Sequence, residues 1–457
     1  MNAIPNEIRE KRTVTARVGF FLLFLYLLMT FSRTIEQILP PFHLTAILYG
    51  LTLVFAVITG GLARAFSHRI GKYLAAFCVW LIVAVPFSMW KGGSVATLAD
   101  AARTIPVFLL IVGLVRDFAD TRRAIHALAF ATLLLSIYTF FHGEVVDGRL
   151  ELTYGKFANP NDLAQVLLMG LPFWWLTAAD TSIDKIRRIA AAAAGILSLG
   201  VMARTGSRAA LLATAVTMLV FLFKASNRSR LIMAAGAVIG LIIAAIALPD
   251  DLRARYFTLF EAGDEQQMSE QEQTRLDMAI GSAYARAHLL EASINLTITH
   301  PIFGVGPGMF QVGEQDLATS MGERPSWHES HNSYTQVSSE AGLPALFFYM
   351  AVLVLSLKIT FGIYRRYRAR PDCRLLANTA FAVQLSLISY AVATFFVSVA
   401  YDLFLPCLAG LSVCLDRAAA AQENRKLREP APAAAAASAA RPAAPKPEPR
   451  RRRLVSP

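Results

Sequence analysis

WHESHNSYTQVSSEAGLPALFFYMAVLVLSL, residues 327–357, joins a polar run to an apolar one. Its last eleven residues, FFYMAVLVLSL (347–357), carry no charge, and with their flanks they form an apolar block over 343–361. A block of that length crosses a hydrocarbon core about 30 Å thick. Similar blocks recur along the chain, at 14–32, 42–63, 72–90, 98–115, 122–141, 162–178, 187–203, 208–223, 231–248, 343–361, 375–396 and 399–416. Only Tyr401 and Asp402 mark the turn between the last two. The 457 residues are 55% apolar and 17% charged, against about 25% charged in a soluble domain. The sequence therefore predicts an all-α fold: a polytopic helical membrane protein of about 12 transmembrane helices.

Lysine and arginine set the expected orientation. One set of loops holds Arg9, Lys11 and Arg12; Arg64, Arg69 and Lys72; Arg116, Arg122 and Arg123; Lys185, Arg187 and Arg188; and the cluster from Arg365 to Arg374. The intervening loops are sparsely basic, which places both termini in the cytoplasm. Segment 249–330, between spans nine and ten, holds thirteen acids against five arginines, a net of −8, so with a formal total of +12 the rest of the chain carries +20. That basicity is topological and suits anionic lipid headgroups; nucleic acid is not an expected partner. The first span lacks a small-residue cleavage site and reads as retained. Cys78, Cys373, Cys407 and Cys414 fall outside the large external loop, so no disulfide is expected there.

Residues 1–418 read as one membrane-embedded domain and 419–457, rich in Ala, Pro and Arg, as a disordered cytoplasmic tail. Two external segments are longer than the rest, 142–162 and 249–330. Within the second, Leu276, Ile280, Ala283, Ala287, Leu290, Ile294 and Ile298 recur at helical spacing. This predicts an amphipathic helix over 275–299 lying at the membrane surface, ended by HPIFGVGPGMF (300–310).

The polar half of the opening stretch admits three readings. His328 and His331 are three apart, whereas the zinc-hydrolase pattern separates its histidines by four. A general base is the second reading: His331 is an imidazole at a membrane edge, with Tyr334 on its helical face. The third is a helix cap made by Ser330 and Asn332. Arg204 and Arg208 bracket ARTGSR between spans seven and eight, on the side where arginine is scarce. With Ser207 and the N–H groups opening span eight they suit an anion such as phosphate; a snorkelling pair is the plainer alternative. In FANPNDLAQ (157–165), Pro160 with Asn161 or Asp162 reads as a cap, and Asp162 is also placed to touch a sugar.

These motifs together resemble the O-antigen ligase and polymerase superfamily of bacterial membrane glycosyltransferases. His331-Asn332, nine residues, then Gly342 is similar to the ligase His-(Asn/Ser/Gln)-x9-Gly pattern, with Ala345 departing at its last position. Arg286 and Leu290 match an Arg-x3-Leu element, His300-Pro301 with Gly304 and Gly306 a His-Pro-x-x-Gly-x-Gly element, and Ser207-Arg208 the start of a Ser-Arg-Gly-Ala segment in which Ala209 replaces glycine. The resemblance covers about 150–360. It implies glycan transfer from an undecaprenyl-diphosphate carrier to an acceptor hydroxyl, lipid A-core or another glycan, at the periplasmic face of the inner membrane, inverting and without metal or other cofactor. It assigns His331 as base and Arg286 and Arg208 as catalytic cations, with Arg204, Ser207, Asn332, Tyr334 and Asp162 as substrate-binding residues. Polymerases and protein O-glycosylating transferases share the donor. The polymerase Arg-x10-Gly spacing is absent, since Arg286 and Thr297 stand eleven after Arg275 and Arg286. A secondary transporter would show an internal repeat, and none is visible.

Overall fold

The computed structural model describes residues 13–38, 43–153, 155–224, 270–322 and 324–428, together with residues 230 and 252. In chain order the helices are α1 (Val14–Ser32), α2 (Thr34–Ile38), α3 (Leu44–Ile58), α4 (Gly61–Ser67), α5 (Arg69–Ala84), α6 (Lys91–Thr104), α7 (Val107–Leu114) and α8 (Phe118–His142). A hairpin of β1 (Glu144–Val146) and β2 (Arg149–Glu151) follows. Then come α9 (Pro160–Ala179), α10 (Lys185–Arg204), α11 (Arg208–Lys224), α12 (Glu270–Thr299), α13 (Phe310–Met321), α14 (Ser333–Tyr367), α15 (Arg374–Ala393) and α16 (Phe404–Arg428).

The protein is an all-α polytopic membrane protein. Among the described residues nine helical stretches are long and apolar enough to span a bilayer, ten if α3 and α4 are one broken span bent by 77°. The twelve spans read from the sequence differ in three places. The 42–63 block is that broken pair; α11 is only 17 residues long; and 231–248 lies outside the described residues. The last helix also runs past 419 to Arg428, and 429–457, the rest of the segment read as a tail, lies outside the described residues. Apolar side chains on the outside, among them Phe21, Ile82, Ile196 and Phe347, are what lipid contact requires.

The core lies where α7, α14, α15 and α16 meet. Leu110, Ile111, Leu114, Val352, Leu387 and Leu411 are almost fully buried there, and the Tyr349 and Tyr390 hydroxyls share a hydrogen bond of 2.7 Å, which satisfies both inside an apolar interior. At one end of the bundle, basic side chains bind backbone and acids, as in Arg122–Asp180 (2.7 Å) and Arg417 donating to Val112 and Arg64 carbonyls (2.9 Å each). The other end carries the hairpin, the α10–α11 turn, α12 and His331.

The turn expected at Tyr401-Asp402 is instead a ten-residue connection, 394–403, between α15 and α16. Its residues are apolar because they dock on the start of α14, not because they span. Ser333 N–H donates to Thr394 O (2.8 Å), Ser333 Oγ–H to Val397 O (2.7 Å), and Val399 N–H to Ser333 Oγ (2.9 Å). A packed loop and a span have the same composition when both are buried.

Candidate functional site

His331 precedes α14 with φ 51°, in the left-handed region, and Trp327 shares that conformation at φ 52°. Two such residues fold WHESH back on itself, a strained arrangement of the kind concentrated at functional sites. Asn332 is the N-cap: its Oδ1 accepts from Tyr334 N–H (2.9 Å) and Thr335 N–H (3.2 Å). Ser330 does not cap; its Oγ pairs with Ser398 Oγ at 3.1 Å. Tyr334 Oη–H donates to Ala391 O at 2.7 Å and accepts from Thr394 at 3.2 Å. Asn332 and Tyr334 thus hold the helix start that aims His331. The His328 and His331 rings stand 6.4 Å apart, centroid to centroid, and among the described residues no group of three His, Cys, Asp or Glu side chains has metal-holding geometry.

Arg286 reaches this place on α12. That helix carries two apolar stripes. Leu290, Ile294 and Ile298, read from the sequence as the membrane-facing stripe, are exposed, while Leu289, Ala292 and Leu296 are buried against Val305, Met309 and Phe310. Thr297 Oγ and Ser338 Oγ join α12 to α14 at 2.8 Å. The HPIFGVGPGMF turn then interlocks with a break in α14. Val305 N–H donates to Ser339 O (2.8 Å), Gly306 N–H to Glu340 O (2.9 Å) and Leu343 N–H to Pro301 O (2.8 Å). The buried Glu340 carboxylate accepts from Gly308 N–H at 2.8 Å. Phe303 stacks on Phe87 (3.9 Å) and Trp80 (5.6 Å), and Trp80 Nε1–H donates to Ala341 O (2.9 Å).

The glycines of the two motifs are therefore halves of one contact. Gly342 has φ 81°, and a Cβ there would sit 2.0 Å from Ile302 O; a Cβ on Gly304 would sit 2.3 Å from the Glu340 carbonyl carbon. Gly342→Ala is expected to destabilise the protein by about 1–3 kcal/mol or more, since backbone strain adds to a clash that no rotamer relieves. A thermal aggregation midpoint in detergent lowered by several degrees would show it, and an unchanged midpoint would not fit this contact.

Burial, then the Arg286 guanidinium, then His328 push the His331 imidazole down to about 4 from its ordinary range. The two residues, forty-five positions apart in the chain, share one electrostatic environment. His331 is accordingly neutral near pH 7, with a lone pair on one ring nitrogen.

Arg204 and Arg208 lie at the same end of the bundle, half-buried on either side of the α10–α11 turn. Ser207 Oγ accepts from Ala210 N–H at 3.4 Å, opening α11. The hairpin braces this turn: Arg149 Nε–H donates to Thr205 O and its terminal N–H to Asn161 Oδ1, both at 2.9 Å. No hydrogen bond joins Arg204 or Arg208 to His331 among the described residues. The hairpin lies in a stretch read from the sequence as a loop. VVDGRL contains the signal for it, an Asp-Gly pair between apolar residues, and Asp147 (φ 49°) and Gly148 (φ 73°) make that turn.

Asn159, rather than Asn161 or Asp162, caps α9, its Oδ1 accepting from Asn161 N–H at 2.9 Å, because Pro160 takes the first helical position. Asp162 is left in the first turn of α9, within electrostatic reach of Lys156, Asp402, Glu329 and Arg33. None of those four was read from the sequence as a site residue, since only folding gathers four separate connections.

A comparison with curated proteins finds no match. Residues 193–350, which contain Arg204, Arg208, Arg286, the HPIFGVG turn, His331 and Gly342, match the family model described as O-antigen ligase, so across that segment the chain carries a domain of the O-antigen ligase superfamily.

Proposed function

We propose that this protein transfers a glycan from an undecaprenyl-diphosphate carrier to an acceptor hydroxyl at the periplasmic face of the inner membrane, with the lipid A-core as acceptor. The observation that carries the reading is the pairing of Arg286 with a neutral His331. Glycosyl transfer from a diphosphate needs a base for the acceptor proton and positive charge for the departing oxygens. The acceptor oxygen attacks the anomeric carbon as its proton passes to His331. The bond from that carbon to the diphosphate oxygen breaks, and the electron pair leaves with the diphosphate, facing Arg286. Attack opposite the leaving group inverts the anomeric centre. Arg208 and Arg204, at the same end of the bundle, extend the cationic surface along the donor.

A base with a pKa near 4 is weak, and the donor corrects this. A bound diphosphate offsets the Arg286 charge that disfavours the imidazolium, so His331 becomes more basic only in the loaded site. The histidine then waits unprotonated until it is needed.

The test is transfer by the reconstituted full-length protein from a purified undecaprenyl-diphosphate glycan, offered lipid A-core and, separately, a second donor glycan. A lipid A-core product is expected. Elongated donor alone would make the enzyme a polymerase, and no product with either acceptor would contradict the reading.

A further inference from the structure

At the end of the bundle away from His331, α3 stops at Thr59, Gly60 turns the chain with φ 76°, and α4 leaves at an angle of 77°. α4 lies directly on the end of α7, where a Cβ on Gly61 would sit 3.0 Å from Gly113 Cα. That closeness lets arginines from three elements reach the last carbonyls of α3 and α7. Arg64 of α4 donates through Nη2 to Gly113 O at 2.5 Å and to Thr59 Oγ1 at 3.4 Å. Arg116, just past α7, donates to Thr59 O at 3.5 Å. Arg417 of α16 donates to Val112 O and to Arg64 O, both at 2.9 Å.

Carbonyl acceptors satisfy N–H groups but leave the charge. Arg64 feels the positive charges of both Arg116 and Arg417, and among the described residues none of the three forms an ion pair. The acids of the same connections are engaged elsewhere. Asp117 accepts from Asp120 N–H at 2.7 Å, and Asp416 faces His68 at 3.4 Å. Asp120 pairs with Arg123 at 3.3 Å and takes the backbone N–H of Arg116 at 3.4 Å. The two helix C-termini, each worth about −0.5 charge, offset about one of the three guanidiniums. A lone snorkelling arginine keeps its head in water and apart from others; here three converge on one spot, where like charges repel. Beside them Leu62 and Phe66, one turn apart on α4 and so on one face, are 41% and 45% exposed.

We propose that Arg64, Arg116 and Arg417 bind the phosphate of an anionic phospholipid, with Leu62 and Phe66 against its acyl chains. Guanidinium groups suit phosphate oxygens, which accept two parallel N–H bonds from one arginine. The apolar strip beside the cations favours a membrane lipid over a dissolved anion. The phosphate neutralises the trio and fastens the α3–α4 bend to α7 and α16. The site stands independently of the transfer reading, whose residues lie at the other end of the bundle.

The experiment is native mass spectrometry of the full-length protein in detergent, titrated with phosphatidylglycerol, phosphatidylcholine or inorganic phosphate, with the thermal midpoint measured alongside. The wild type is expected to retain phosphatidylglycerol under activation that strips phosphatidylcholine, and to gain several degrees with the anionic lipid alone. Arg116→Glu is the informative variant, because Arg116 is exposed and the new carboxylate would stand where the phosphate binds. Its affinity for phosphatidylglycerol is expected to fall about thirtyfold, each of the two charge units changed being worth about fivefold at an anionic leaflet. Its lipid-free midpoint should equal or exceed that of wild type, since the glutamate supplies the missing negative charge. Arg365→Glu, the same charge change at an exposed position on α14, should keep wild-type affinity. Equal retention of both lipids by wild type, or equal losses in the two variants, would overturn the site. So would a lipid-free Arg116→Glu midpoint well below wild type, which would make the arginines helix caps alone. A gain with inorganic phosphate as large as that with phosphatidylglycerol would overturn the lipid assignment.

Discussion

His331→Asn is expected to lower transfer by about 10²–10⁴-fold, the usual contribution of a positioned general base, while the protein stays folded. The expectation of intact folding follows from the site. His331 is half-buried and its backbone is left-handed at φ 51°, a conformation asparagine adopts more readily than most residues. The α14 cap is made by Asn332, not by His331. A thermal aggregation midpoint close to wild type should therefore accompany the loss of rate. Substantial transfer by the folded variant would reduce WHESH to a capped helix start.

The second large effect is on Arg286. Arg286→Gln is expected to cost about 10²–10³-fold in kcat, as for removal of one preorganised donor to a developing anion. A pH signature separates this from a merely structural loss. The Arg286 charge opposes protonation of His331, so its removal raises the imidazole pKa from about 4 toward the ordinary value near 6.5. Burial is the larger cause and remains, so the recovery is partial. The acid limb of kcat/KM should thus lie near pH 4 in wild type and at higher pH in the variant. A limb at the same pH in both would mean that the two residues do not share a site.

The sequence carried the membrane fold because apolar blocks of bilayer length are a one-dimensional signal. It misread the connection 394–403 because burial in a loop and burial in a span use the same residues. The 42–63 block, too, was one span by composition and a bent pair in space, since Gly60 with φ 76° turns the chain there. Within the site, His331 and Arg286 were legible as motif residues, and their convergence was not. It depends on a docking of backbone on backbone, Val305 to Ser339 and Gly306 to Glu340, for which only the glycines leave a trace. Lys156, Asp402, Glu329 and Arg33 left none, being single charges in four different connections. Asn332 and Tyr334 stand beside His331 in the sequence, and their hydrogen bonds hold the helix start there.

The reactivity of His331 toward diethyl pyrocarbonate, measured against pH by peptide mass spectrometry with and without undecaprenyl diphosphate, bears most directly on the pairing of base and leaving-group cation. The reagent attacks neutral imidazole, so the pH at which labelling falls by half reads the pKa. That midpoint is expected near 4 in the free protein, moving upward when the diphosphate offsets Arg286 and remaining unmoved by the diphosphate in Arg286→Gln. A wild-type midpoint that the diphosphate leaves where it was would contradict a site in which Arg286 holds the leaving group beside His331.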